Sequence, residues 1–352
     1  MSKILITGGA GFIGSHTCLS LLERNYKLVV IDSFINSSPI SLERVQKIHG
    51  ERNNINNKIE IYKGDLRSEA FLENIFVQAL KESDPIKAVL HFAGLKSVGD
   101  SLKNPLKYWD NNLGCTINLL KIMEKNECFN FVFSSSATIY SYSDKGMIDE
   151  NNAISPINPY GYTKATIEKI LENIFYSKPN KWRIANLRYF NPIGAHYSGM
   201  IGENPSGIPS NIFPFILQVA SGKLKELKVY GKDWPTHDGT GVRDYIHVLD
   251  LAEGHILALE NLLISKPKII SLNLGTGLGS SVLDLIKCFE KENNIKIPYI
   301  FTKRRVGDLA HVVANNTLAS KILNFQPKRT LRDMCRDGWK WQKMNPYGYK
   351  DD

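Results

Sequence analysis

The stretch Ile4-Leu5-Ile6-Thr7-Gly8-Gly9-Ala10-Gly11-Phe12-Ile13-Gly14 decides how this chain is read. A β-branched apolar run passes directly into a glycine turn, and the segment after it, from about Gly11 to Arg24, has helical period. Glycine marks many turns. This one is set apart by its place between strand and helix and by Asp32, eighteen residues past Gly14 at the end of the next apolar run, Lys27 to Ile31. Glycines at 8, 11 and 14, with Phe12 and Ile13 between them, permit a tight turn, close approach of a pyrophosphate to backbone N–H groups and close packing of helix on strand. Asp32 is placed to accept from ribose hydroxyls and to repel a 2′-phosphate, and Ser33 rather than an arginine follows it, so the pattern predicts NAD over NADP.

Working outward, short β-branched runs keep alternating with helical ones. Ile59 to Lys63, Ala88 to Phe92 and Asn130 to Ser134 read as buried strands, and Glu69 to Glu82, Asn104 to Lys125 and Tyr160 to Tyr176 as helices. Alternation of this kind implies an α/β fold with a Rossmann-type doubly wound parallel sheet. The polar run Glu51 to Lys58 reads as an exposed loop. After Leu187 the prolines and glycines at 192, 205, 207, 209 and 214 break the chain into pieces too irregular for more βαβ units. The expected division is an NAD-binding domain over 1–190 and a smaller, irregular α/β substrate domain over 191–352, with some late segments packing back on the first.

With 43% hydrophobic and 22% charged residues the composition is that of a soluble globular protein, and no apolar run reaches the roughly 20 residues needed to span a bilayer. The opening Met-Ser-Lys enters a strand at once, without the features of a secretory signal, which makes the cytoplasm the expected address. Five scattered cysteines, none in a C-x-x-C pair, indicate neither a disulfide framework nor a metal site. The net charge of +9 is dispersed, its tightest group being Lys303-Arg304-Arg305; this suits a small anionic ligand better than a nucleic acid.

Tyr160-Gly161-Tyr162-Thr163-Lys164 opens a predicted helix and puts Tyr160 and Lys164 on one face. The glycine spacing resembles that of the short-chain dehydrogenase/reductases, and the resemblance implies that this pair oxidises a secondary alcohol, which needs a base for the hydroxyl proton as hydride leaves the carbon; a tyrosine at a pKa of about 10 must be helped. Lys164 and a positive nicotinamide supply that help by stabilising the phenolate. Ser136, closing the fifth strand, is placed to hold the same substrate oxygen.

The spacing T-G-x-x-G-x-x-G, with this Ser and Tyr-x-x-x-Lys downstream, resembles the extended branch of the short-chain dehydrogenase/reductases. Three further blocks narrow the resemblance: Phe92-Ala93-Gly94-Leu95-Lys96-Ser97-Val98-Gly99, Tyr189-Phe190-Asn191-Pro192-Ile193-Gly194-Ala195-His196, and Asp238-Gly239-Thr240-Gly241-Val242-Arg243-Asp244-Tyr245-Ile246-His247. From about residue 3 to Trp341 the chain is similar to the UDP-glucose 4-epimerases. Related dehydratases carry an acidic pair just after the serine or threonine; Ala137 and Thr138 stand there, which argues against elimination.

The resemblance implies a reversible hydride transfer between C4 of a UDP-hexose and a retained NAD, through a 4-keto sugar, interconverting UDP-galactose and UDP-glucose in galactose metabolism. It implies that Asn36, Asp65 and Leu66 lie along the adenosine, that Phe92, Ala93, Lys96 and Tyr189 line the cofactor, and that Asn111 sits by the pyrophosphate. Lys96, Ser136, Thr138, Tyr160 and Phe190 would meet the substrate, and Asn191, Asn211 and Ile212 the hexose and diphosphate region. Arg243 and Arg305 would grip the diphosphate, Tyr245 would meet the substrate, Asp308 would accept from the uridine ribose, and Lys228, Val229 and Tyr230 would run along the uracil.

Because the sugar must turn over between the two hydride transfers, the nucleotide has to be the anchor. Val312 falls where members of the family carry tyrosine or a smaller residue beside the C2 substituent, and its size leaves room for UDP-N-acetylglucosamine. The resemblance also suggests a homodimer through the helices near 104–125 and 160–177. The competing readings are another UDP-sugar epimerase or decarboxylase of the same branch, a net dehydrogenase, and a non-catalytic NAD-sensing protein.

Overall fold

The computed structural model describes residues 2–53, 59–141, 147–205, 207, 209, 211–305 and 308–350. The chain forms two compact units. The first comprises Met1–Tyr140, Ile154–Arg188 and Ala252–Leu272, and the second Ser141–Ala153, Tyr189–Leu251 and Asn273–Asp352.

The first unit opens with β1 (Lys3–Thr7), α1 (Phe12–Glu23), β2 (Lys27–Asp32), α2 (Pro39–Asn53), β3 (Glu60–Lys63), α3 (Glu69–Lys81) and β4 (Ile86–His91). It continues through two short helices, α4 (Val98–Lys103) and α5 (Pro105–Tyr108), a π-helical turn (Trp109–Leu113), α6 (Gly114–Lys125), β5 (Asn130–Ser134), a 3₁₀ turn (Ala137–Ile139), α7 (Pro159–Ser177) and β6 (Arg183–Tyr189). Strands β3, β2, β1, β4, β5 and β6 lie in the order 3-2-1-4-5-6, each neighbouring pair in parallel register. That order reverses direction at β1 and β4, where open sheets of this type bind dinucleotides. The central strands are buried along most of their length, β1 at all of its positions, whereas β3 at the edge, Glu60-Ile61-Tyr62-Lys63, is partly exposed. Leu5, Val29, Ile31, Leu119, Met123, Phe131, Phe133 and Trp182 belong to one core cluster.

Two expectations are corrected here. The expected loop over 51–58 begins inside α2, whose buried Leu42, Val45 and Ile48 recur every three residues; residues 54–58 lie outside those described. The single helix expected over 104–125 is interrupted by the π turn. The late chain also supplies one more helix and strand to the first unit's architecture: α9 (Val248–Ile264) leads to β10 (Lys268–Leu274), which takes the edge beside β6 as the sheet's seventh strand.

The second unit contains β7 (Asn191–Ile193), α8 (Ile212–Ala220), β8 (Leu227–Tyr230), β9 (Val242–His247), β11 (Gly279–Ser281), α10 (Val282–Asn293), β12 (Tyr299–Thr302), β13 (His311–Val312), α11 (Thr317–Leu323) and α12 (Leu331–Met344). Strand β9 is its hub, flanked by β7 and β13 in parallel and by β11 antiparallel, while β8 pairs with β12. Helices α10 and α12 each start at a capping box, Ser281 with Asp284 and Thr330 with Asp333, which satisfies the orphan N–H groups of their first turns. Phe213, Ile216, Leu285, Phe289 and Met334 pack beneath them. No described helix is long and apolar enough to cross a membrane.

Candidate active site

The glycine turn divides its labour. Gly8 has φ of 69°, and a Cβ there would lie 2.7 Å from the Ala93 nitrogen. A Cβ on Gly14 would lie 2.4 Å from the Gly8 carbonyl oxygen, so these two glycines are dictated by the protein's own packing. Gly11 differs. Its Cβ would meet only the Gly8 carbonyl oxygen, at 3.3 Å, with open space otherwise. Gly11 caps α1 without a side-chain hydrogen bond, leaving the first-turn N–H groups of Phe12, Ile13 and Gly14 without a capping side chain. A vacant approach on a helix N-terminus fits a pyrophosphate. Asp32 ends β2 with its Oδ2 accepting from Ala10 N at 2.9 Å and its Oδ1 from Phe34 N at 2.9 Å and Ser37 Oγ at 2.8 Å. The carboxylate is thereby fixed beside the turn, and Asn36 is exposed on the loop that follows.

Asp65 and Leu66 follow β3. Asp65 is held by Arg67, whose hydrogen bonds draw its carboxyl below the usual range, and Arg67 also pairs with Asp110 at the start of the π turn. Phe92, Ala93 and Lys96 follow β4, and Asn111 lies within the π turn. Its neighbour Asn112 was not anticipated. Asn112 is buried, accepts from Leu95 N at 2.7 Å and donates to Thr163 Oγ1 at 3.0 Å, and Thr163 Oγ1 in turn donates to the Tyr160 carbonyl. The extra residue of the π turn turns Asn112 inward to join the loop after β4 to the first turn of α7. Hydrophobic periodicity does not register such a slip.

On α7, Asn158 caps the helix by accepting from Gly161 N at 2.9 Å and Pro159 occupies the first position, which sets Tyr160 in the first turn. Gly161 lies hard against the end of the 3₁₀ turn: a Cβ there would be 2.7 Å from the Thr138 carbonyl. Ser136 heads that turn and accepts from Thr138 N and Oγ1, at 3.2 and 2.9 Å. Tyr160, Lys164 and Ser136 are all buried, about 5–6% exposed. The Lys164 ammonium donates to the Ser134 carbonyl at 2.8 Å and stands 5.9 Å from the Tyr160 ring centre. Burial lowers Lys164 to about 8, with the Glu168 carboxylate pulling the other way. One helix turn against one strand end thus holds a phenol, a readily titrated cation and a hydroxyl, the parts of a proton-transfer site.

In the second unit a cavity of about 480 Å³, the size of a small-molecule site, is lined by Asn191, Asn211, Ile212, Lys228, Val229, Tyr230, Arg243, Tyr245, Arg305 and Asp308. Arg243 and Tyr245 alternate along β9 and so share one side of it; Asp244 between them turns the other way, its carboxylate accepting from Thr276, Gly277 and Ala314. Arg243 is ion-paired with Asp308. The Arg305 guanidinium stacks on Tyr230, 3.9 Å from the ring centre, whereas Arg304 is taken up by Trp234 and Asp233. The basic run of the sequence therefore sends one arginine to the cavity. The Tyr245 hydroxyl is buried with no hydrogen-bond partner among the described residues, and burial pushes its pKa up.

Phe190, buried after β6, and Val312 are not among the lining residues; Val312 pairs with Arg243 in the β13–β9 register. Tyr189, the last residue of β6, is half-buried, and Thr138 is half-buried on the 3₁₀ turn. Phe215 and Glu226 also line the cavity and were not anticipated. Phe215 lies one turn beyond Asn211, a spacing that would have found it.

Residues 5–338 match the family model described as GDP-mannose 4,6 dehydratase. The chain is 48% identical over 347 residues to the UDP-glucose 4-epimerase of Bacillus subtilis (strain 168), covering 99% of this chain and 98% of the relative. Its fold superposes on the crystal structure of UDP-glucose 4-epimerase from Bifidobacterium longum in complex with NAD+ and UDP, with TM-score 0.91, 45% identity and coverage of 99% and 100%. It superposes equally on the enzyme from Stenotrophomonas maltophila with bound NAD and formylated UDP-arabinopyranose, with TM-score 0.92, 44% identity and coverage of 98% and 99%. A dehydratase would call for the acidic pair whose places Ala137 and Thr138 occupy.

Proposed function

The chain belongs to the UDP-glucose 4-epimerase family, NAD-dependent isomerases of Rossmann-type fold, and on that premise we propose how its residues divide the work. The observation that carries the proposal is the arrangement of Tyr160 and Lys164 on the first two turns of α7 with Ser136 at the head of the 3₁₀ turn after β5.

Tyr160 is the base for the 4-hydroxyl. Its phenolate takes the hydroxyl proton as the C4 hydride departs and returns it to the 4-keto oxygen when hydride comes back to the opposite face. Lys164 stabilises the phenolate by Coulomb attraction in a desolvated site, and Ser136 holds the sugar oxygen within reach. Bound NAD supplies the acceptor and donor of the hydride, and the sugar returns to its original oxidation state. The α1 N-terminus with Gly11 holds the pyrophosphate, and Asp32 the adenosine ribose. Asp65, Leu66, Phe92, Ala93, Lys96, Asn111 and Tyr189 complete the cofactor's surroundings.

The nucleotide is the fixed part of the substrate. In the second unit's cavity Arg243 and Arg305 take the diphosphate with charge-assisted bonds, Asp308 takes the ribose, and the strand Lys228 to Tyr230 runs along the uracil. Arg243 exchanges its Asp308 partner for the diphosphate, which frees Asp308 for the ribose hydroxyls. Tyr245 offers an unpartnered hydroxyl on the same side of β9. The hexose, with few directional contacts, is free to turn over.

Val312 supports a second substrate. A valine beside Arg243 in the β13–β9 register favours acceptance of UDP-N-acetylhexosamines as well as UDP-galactose and UDP-glucose. A homodimer is proposed through the helices near 104–125 and 160–177, which expose Leu106, Ile117, Tyr162 and Tyr176, and a cytoplasmic address from the hydrophilic composition. The test is incubation of pure protein with UDP-galactose and, separately, UDP-N-acetylgalactosamine, followed by separation of the epimers. Both should convert; turnover of the first alone would reject the role of Val312.

A further inference from the structure

Three consecutive serines lead from the end of β5 into the 3₁₀ turn, and α7 holds two of them, Ser134 and Ser135. Ser136 presents its hydroxyl at the proposed reaction centre, and the Ser134 carbonyl holds the Lys164 ammonium. The Ser135 hydroxyl donates to Glu168 Oε1 at 2.5 Å. Glu168 lies one helical turn beyond Lys164, on the same face of α7. Its carboxylate is buried, 6% exposed, and Arg188 of β6 grips it with two nitrogens: Nη2 lies 2.6 Å from Oε2, and Nε lies 3.1 and 3.2 Å from the two oxygens. Arg188 Nη1 also donates to the Tyr140 hydroxyl at 3.0 Å.

A buried ion pair of this kind is costly to desolvate, and apolar residues of the same volume often hold helix to strand as well or better. Its placement gives it something more to do than packing. The titratable and charged groups tied to Lys164 are Tyr160 and Glu168 on its own helix, His91 from β4 and, through Glu168, Arg188 from β6 with Tyr140. His91 is pushed down to about 3, first by burial and then by Lys164 itself, so it adds no charge at neutral pH. The one carboxylate in this set is Glu168, and it is the group that opposes the loss of the Lys164 proton.

We propose that Glu168, clamped by Arg188, is a positioning residue for the reaction: it fixes the Ser134 to Ser136 strand end and supplies the negative charge that keeps Lys164 protonated beside Tyr160. This rests on the assignment of Tyr160 and Lys164 above. The working pH window then lies between the ionisation of Tyr160 on the acid side and the loss of the Lys164 proton on the alkaline side. Removing the Glu168 charge while keeping its shape withdraws attraction from Lys164 and leaves the Arg188 charge uncompensated nearby. Both effects push the Lys164 proton off at lower pH.

The experiment compares the NAD-containing enzyme with Glu168→Gln and with the double variant Glu168→Gln, Arg188→Met, which removes both charges at similar volume. Two readouts are taken for each: the pH profile of kcat/KM with UDP-galactose, and the near-ultraviolet titration of tyrosinate, with Tyr160→Phe subtracted to isolate Tyr160. In Glu168→Gln the alkaline limb should fall by roughly one pH unit, and the Tyr160 titration should move to lower pH beside the uncompensated arginine. In the double variant the limb should recover about half of that shift. A folded Glu168→Gln with wild-type limb and tyrosinate titration overturns the proposal, and if that variant does not fold, a double variant with a wild-type limb overturns it equally. Failure of the underlying assignment is visible separately, as near wild-type turnover by Tyr160→Phe.

Discussion

The Lys164 ammonium donates to the Ser134 carbonyl oxygen at 2.8 Å, which ties the cation assigned to tune Tyr160 to the strand end that carries Ser136. The hydrogen bond joins α7 to the end of β5, and the consequences of the proposed roles can be measured.

Tyr160→Phe removes the phenol and little else. Turnover of UDP-galactose should fall by about 10² to 10⁴, while NAD content and UDP affinity stay at wild-type values. Lys164→Met should slow turnover and also move the acid limb of the pH profile upward, because the phenolate loses its stabilising cation. In the parent enzyme the alkaline limb should follow Lys164, which burial lowers to about 8.

Gly11 and Gly14 should respond oppositely to alanine. At Gly14 the new methyl meets the Gly8 carbonyl at 2.4 Å, so thermal stability should drop by roughly 1–3 kcal/mol from overpacking. At Gly11 the protein has room. There the apoprotein should melt near the wild-type temperature but purify with little NAD, because the methyl occupies the pyrophosphate's approach. Differential scanning calorimetry and the nucleotide content of the purified protein separate the two effects.

How far the sequence carried the reading follows from which features are local. Glycine turn, Asp32 and the Tyr160–Lys164 pair are short-range patterns tied to a strand–turn–helix, and they were legible with the strands of the first sheet. Helix α2 was overlooked because its polar residues mask the three-residue recurrence of Leu42, Val45 and Ile48. The π turn leaves the apolar period of its surroundings intact, so Asn112 stayed hidden behind Asn111. Ser134 acts through its carbonyl and Ser135 through a partner 33 residues away; neither role has a signature in residue type or spacing. In the second unit, the Arg243–Asp308 pair joins β9 to a loop 65 residues on, a contact that the two separate motifs do not reveal.

Arg243→Ala should weaken UDP binding by about 2–3 kcal/mol, because it removes a charge-assisted contact to the diphosphate. Asp308→Asn should cost less, since Arg243 is then free for the diphosphate. Isothermal titration with UDP measures both, and NAD content should be unchanged in each.

Gly161→Ala probes the packing of α7 on the 3₁₀ turn. Its methyl would lie 2.7 Å from the Thr138 carbonyl, and the helix must move away from Ser136 to admit it. The rate with UDP-galactose should fall at least tenfold, with KM less affected, since positioning rather than nucleotide binding is disturbed. An unchanged kcat would show that the contact between Gly161 and Thr138 does not set the geometry of the site.

Val312→Tyr should abolish turnover of UDP-N-acetylgalactosamine and leave that of UDP-galactose within a few-fold of the parent. Parallel loss of both activities would mean that the position governs folding or nucleotide binding instead of the size of the sugar.

The central claim is that the cofactor taken up by the glycine turn serves as a resident hydride carrier whose oxidation state is restored in every cycle. It is tested most directly by mixing the purified protein, without added NAD, with a large excess of UDP-galactose and following UDP-glucose and reduced nicotinamide together. UDP-glucose should accumulate through many turnovers per protein while the reduced cofactor stays below one equivalent. Reduced cofactor rising in step with sugar consumed, or no UDP-glucose formed by protein that carries NAD, would contradict it.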